Sequence, residues 1–163
     1  MSDLEKTKMS RPAPKPICKL DKHAQAREFH LHAKEFRDAS VRLSGKTPFL
    51  YHPSFYCILH SIELALKAAL AFSGVTKKTL ASRELGHDLG ALVKEAFKMN
   101  ALDKKVLVSR QWQIIQWGGS DYKSKCFEYP ELPSSGATAP IGLWTEIADV
   151  LIQQVGHKLN DPV

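Results

Sequence analysis

The stretch PSFYCILHSIELALKAALAFSGVTKKTLASRELGHDLGALVKEAFK, residues Pro53–Lys98, decides the fold. In its first part Phe55, Leu59, Ile62, Leu66, Ala69 and Phe72 recur every three or four residues, the period of one helix face. Ala65, Ala68 and Ala71 widen that face, so this helix is expected to pack on more than one neighbour. Gly74 stands where a C′ residue would end it. A basic loop follows, and a further helix is predicted to begin near His87 or Asp88. An Asp there can accept from the exposed first-turn N–H groups. Leu89, Leu92, Val93, Ala96 and Phe97 supply its apolar stripe.

Upstream, Ala26, Phe29, Ala33, Phe36, Ser40 and Leu43 line one face of a helix from Asp21 to Gly45, with His23, His30 and His32 off the stripe. Lys46 to Pro53 reads as a loop. Downstream, Leu102 to Trp117 reads as a helix, although Val106, Val108, Ile114 and Ile115 also suit a strand. Gly118-Gly119 is expected to stop it, and Ser120 to Gly142 to form an irregular loop. Trp144, Ile147, Leu151 and Val155 mark a last helix, Leu143 to about Leu159. The expected fold is all-α: an up-and-down helical bundle of four long helices plus a short or irregular fifth. Residues 21–159 form that domain, between a basic Pro/Lys-rich tail over 1–20 and a short tail over 160–163.

A chain of 163 residues has one-domain length and can bury a proper core. The formal charge of +6 favours acidic partners such as nucleotides, RNA or DNA. The first twenty residues hold five Lys or Arg against two acids and carry half of that charge. Cys18, Cys57 and Cys126 are too far apart to suggest a disulfide framework or a zinc site, so reduced thiols and a cytoplasmic setting are the simplest reading. The apolar run from Leu64 to Val75 contains Lys67 and reads as too short to span a bilayer. No membrane association, metal or cofactor is expected.

The chemistry reads as follows. Lys67, Lys77, Lys78, Arg83 and His87 flank the loop that enters the third helix, a setting suited to a phosphate. The ordinary alternative is solvated loop charges, with His87 as a cap or packing residue. Cys57, His60 and Glu63 are spaced by threes and share a flank. They read either as metal ligands, as a Cys–His pair with a lowered thiol pKa, or as a plain half-buried helix flank. The other acids read as helix-surface salt partners. Trp112, Trp117 and Trp144 would form a partner surface or complete a core. No Gly-rich phosphate loop, HExxH or GxSxG is present, so a self-contained active site of those kinds is not expected.

The order SIELALKAALAFSGV, a polar loop, then GHDLGALVKEA resembles a HEPN domain (higher eukaryotes and prokaryotes nucleotide-binding). The later Tyr122, Phe127-Glu128-Tyr129-Pro130 and IADVLIQQV are similar to the tail of such domains. The resemblance covers about residues 21 to 159. It implies a helical bundle, frequently a homodimer, of the kind found in RNA-cleaving toxins of toxin–antitoxin pairs, in partners of nucleotidyltransferases, and in non-catalytic binding modules. The nuclease members carry an Arg, four to six residues, then a His on a late helix. Here the final helix has His157 with no such Arg. Arg27 and His32 fit the spacing formally but lie on the first helix, and Arg83 and His87 are too close together. The resemblance therefore implies a non-enzymatic module that binds a nucleotide, an RNA backbone or a protein partner. The alternative it leaves is a metal-independent endoribonuclease with a displaced site at Arg83 and His87 or at Arg27 and His32.

Overall fold

The structure, a computed structural model, describes residues 22–45, 50–127 and 139–160. The expected basic tail and residues 128–138 of the expected Ser120-to-Gly142 loop lie outside the described residues; the two ends of that loop are taken up by helices, to Lys123 and from Ile141. The described residues form six helices and no strand: α1 (Lys22–Ser44), α2 (Tyr51–Phe72), α3 (Lys77–Leu80), α4 (Leu89–Lys98), α5 (Ser109–Lys123) and α6 (Ile141–Leu159).

The core is built around α2, which packs on α1, α6, α4 and α5. That explains its composition: Ile58, Leu59, Ile62, Ala65, Leu66, Ala68 and Leu70 are all fully buried, a helix apolar on nearly every side. Each such Leu or Ile removed from water contributes about 1.5–3 kcal/mol. The run that reads as too short for a bilayer in fact belongs to a 22-residue helix long and apolar enough to cross one, yet 72% of that apolar window is buried inside the bundle. A core helix passes the same composition test.

Helices α1 and α2 are antiparallel. Ser40 Oγ donates to the Ser54 carbonyl at 2.8 Å, Ser61 Oγ to the Ala33 carbonyl at 2.7 Å, and His23 meets Phe72 edge to face. Small buried residues on both helices (Ala26, Ala33, Ser40; Ser54, Ser61, Ala65) allow this close approach. Helix α6 closes the other side through Trp144, Ile147, Leu151 and Val155, the stripe expected from the sequence. His30 departs from expectation. It lies off the apolar stripe of α1, yet it is buried against α6, with Nε2 at 3.0 Å from the Ile152 carbonyl.

Two helices differ from their expected bounds. Helix α2 begins at Tyr51, so Pro53 sits in its first turn, where a missing N–H costs nothing. Gly74 has φ +95°, the left-handed conformation that follows a helix end. Helix α5 starts at Ser109 rather than near Leu102 and runs through Gly118-Gly119 to Lys123. Those glycines are contact points and not stops: a Cβ at Gly118 would lie 2.2 Å from Cζ2 of Trp144. The close approach of α5 to α6 requires Gly118 to be small, whereas Gly119 faces Leu89 of α4.

Candidate functional site

Glu63 is the one residue of the α2 core that carries a charge, and it is 1% exposed. A carboxylate cannot stay ionised there without several partners. Four side chains supply them. Lys67, one turn on, donates to Oε1, and Tyr122 from α5 donates to Oε2. His87, just before α4, places Nδ1 at 3.1 Å from the same Oε2. His60, one turn back on α2, has Nδ1 at 2.8 Å from the Tyr122 hydroxyl and 3.4 Å from Oε2. Burial by itself would raise the Glu63 pKa. The N–H of His60, the charge and hydrogen bond of Lys67 and the hydroxyl of Tyr122 outweigh it, lowering the value from 4.5 to about 2.

The hydrogen bonds also fix proton positions. An ionised carboxylate only accepts, so His87 must carry its proton on Nδ1. Tyr122 spends its single hydroxyl proton on Glu63, so its oxygen accepts from His60, which must likewise be protonated on Nδ1. The rings differ in access. His60 is boxed between Phe36, edge-on at 4.5 Å, and Tyr56, stacked at 5.7 Å. His87 meets the Tyr122 ring edge-on, and its side chain is 46% exposed.

The segment between α2 and α4 is shaped locally. Thr76 caps the single turn α3, accepting from the Thr79 amide. Asp88 caps α4, accepting from the Ala91 amide at 2.9 Å, and Lys123 of α5 holds its other oxygen at 2.7 Å. Despite partial burial, these bonds keep the Asp88 pKa below its ordinary value. The N-terminus of α4 is thus filled by the chain's own carboxylate and is not open to an external anion. Asp88, Lys94 and Lys123 edge a depression of about 410 Å³ between α4 and α5.

Of the sequence-predicted residues, Lys67 and His87 meet on Glu63. Lys77, Lys78 and Arg83 are exposed and form no ion pair with any described residue. Arg27 and His32 are exposed on α1. Of the flank Cys57, His60 and Glu63, the last two interact while Cys57 does not join them. Burial pushes the Cys57 thiol above its ordinary pKa, the opposite of an activated Cys–His pair. Among the described residues no group of three or more His, Cys, Asp or Glu side chains could hold a metal ion. His87 is neither the cap of α4 nor a core packing residue; Asp88 takes the first role.

Sequence reasoning passed over Glu63 as the centre and Tyr122 as its partner. The available signal was an acid flanked by Ile62, Leu64, Ala65 and Leu66, with a lysine four residues on. Trp144 is buried, Trp112 half-buried, and Trp117 is 69% exposed. Comparison with protein-family models, with curated proteins and with solved structures finds no match for the chain.

Proposed function

We propose that this chain is a HEPN-like up-and-down helical module that binds a phosphate-bearing ligand, a nucleotide or an RNA backbone, on the segment from Lys77 to His87. The observation that carries the reading is the state of that segment. It is fixed at one end by the Thr76 cap and at the other by the contact of His87 with Glu63, while Lys77, Lys78 and Arg83 between them stand exposed without a counter-ion among the described residues. Cations on an anchored segment lose little entropy when they meet a phosphate, and a net charge of +6 supports attraction of polyanions. Fluorescence anisotropy with a labelled RNA tests it. Binding is expected to weaken at least tenfold in Lys77→Glu/Arg83→Glu and to fall steeply with salt; equal binding by the variant would remove the reading. The same module would act as a homodimer, which sedimentation equilibrium measures directly.

A second reading, metal-independent endoribonuclease activity, has one specific observation in its favour. His87 is held by a buried carboxylate with half of its side chain exposed, the relation by which enzymes orient a general acid–base histidine. RNA incubated with the protein in EDTA would then be cut, and His87→Ala would abolish the cutting while His32→Ala would not.

A further inference from the structure

Glu63 has its charge met by Lys67 before His87 is counted. A proton added to His87 therefore brings a positive charge that the cluster does not need. Because Nδ1 is committed to Glu63, that charge is offered to solvent through Nε2–H, on the side chain that is 46% exposed. Without the added proton, Nε2 carries a lone pair, and a lone pair facing a phosphate oxygen is repulsive. We propose that His87 is a proton-gated ligand of the phosphate site, an acceptor that disfavours the anion when neutral and a charge-assisted donor that holds it when protonated.

The surroundings single out His87 for this role. The charged and titratable groups around it are Glu63, His60 and Lys67 from α2, Tyr122 from α5, and the adjacent Asp88, itself paired with Lys123. Glu63 remains ionised throughout the range in which imidazole ordinarily titrates, since its own value lies at about 2. His60 shares the cluster, but Phe36 and Tyr56 flank its ring, and its side chain is 21% exposed against 46% for His87. The anchor is therefore constant, and the most exposed group of the cluster that can gain a proton is His87. This inference regulates the phosphate site and rests on that reading.

Two measurements on the intact protein test it. Long-range proton–nitrogen NMR correlations report the tautomer of each neutral ring. His60 and His87 are both expected as the less common Nδ1–H form, and an Nε2–H signal from His87 would overturn the gate. Anisotropy with a fluorescein-labelled oligouridylate, at constant salt, is then compared at pH about 5.5 and about 8, on either side of the usual imidazole range. Wild type is expected to bind about tenfold more tightly at the lower pH, the effect of one charge-assisted hydrogen bond. His87→Gln should lose that difference, and His32→Gln, altered on the exposed face of α1, should keep it. If the RNA binds through Lys77 and Arg83 but His87→Gln keeps the full pH effect, the gate falls and the binding site stands. If wild type binds at neither pH, both fall.

Discussion

Two carboxylates of this molecule hold cations in opposite surroundings. Asp149 on α6 takes Arg37 of α1 in a two-pronged grip, with Nε at 2.7 Å from one oxygen and Nη2 at 3.0 Å from the other. The contact joins two helices, and its geometry could hardly be better. It also raises the Arg37 pKa, the hydrogen bond to Asp149 being the main cause. Yet the side chains are 32% and 47% exposed, so water can replace either partner. Glu63 has the less regular arrangement, four partners crowding two oxygens, but the carboxylate itself is sealed from solvent at 1% exposure. Energy follows the absence of an alternative more than the quality of the bond. The outer pair trims the α1–α6 seam, whereas the inner cluster fastens α2, the segment before α4, and α5 to one another.

The largest expected effect follows from removing the inner carboxylate. Glu63→Ala leaves Lys67 charged and nearly buried and strips Tyr122 of its acceptor, so thermal unfolding should show a loss of about 3–5 kcal/mol. A loss below 1 kcal/mol would make the two regions equivalent. Acid attacks the same point more gently. A carboxylate whose folded pKa is depressed contributes stability that is complete above its unfolded value and lost as pH falls through the folded one. For Glu63 the window runs from its ordinary 4.5 down to about 2, and the contribution lost across it is about 3 kcal/mol. Urea unfolding of wild type should weaken through that window, with a smaller slope in Glu63→Gln.

Asp88 stands between the extremes, half cap and half ion pair. Asp88→Ala should cost about 1 kcal/mol, most of it as loss of the α4 N-cap, and Asp88→Asn should recover the cap share. Smallest is the outer pair: Asp149→Asn should change stability by less than about 1 kcal/mol, and the change should shrink further in high salt. A larger cost at Asp149 would mean that the α1–α6 seam depends on it.

How far the sequence discloses these regions depends on what signals each uses. Helices α1, α2, α4 and α6 announce themselves because their buried faces repeat with the helical period, and Asp88 and Gly74 mark ends by chemistry particular to helix ends. Helix α5 does not, since Gly118-Gly119 carries the same letters whether a helix stops or another presses close. Trp144 decides between these, and it lies 26 residues later in the chain. The cluster was partly visible: His60 and Glu63 share a flank by spacing, and Lys67 follows at the next turn. Tyr122 and His87 reach Glu63 through the fold, from 59 and 24 residues away, and no local pattern encodes that. An acid in a helix also looks like a surface acid until its neighbours are known to be buried on every side.

The seam between Gly118 and Trp144 has an optical consequence. The indole of Trp144 is sealed from water, and its N–H has no hydrogen-bond partner among the described residues, while Trp117, the residue before that glycine, stands in solvent. Excited indole emits at shorter wavelength when nothing polar relaxes around it. One should therefore emit blue and resist a dissolved quencher, and the other emit red and be quenched. The chain carries its own paired reporter across α5 and α6, and any parting of the two helices would merge the two signals.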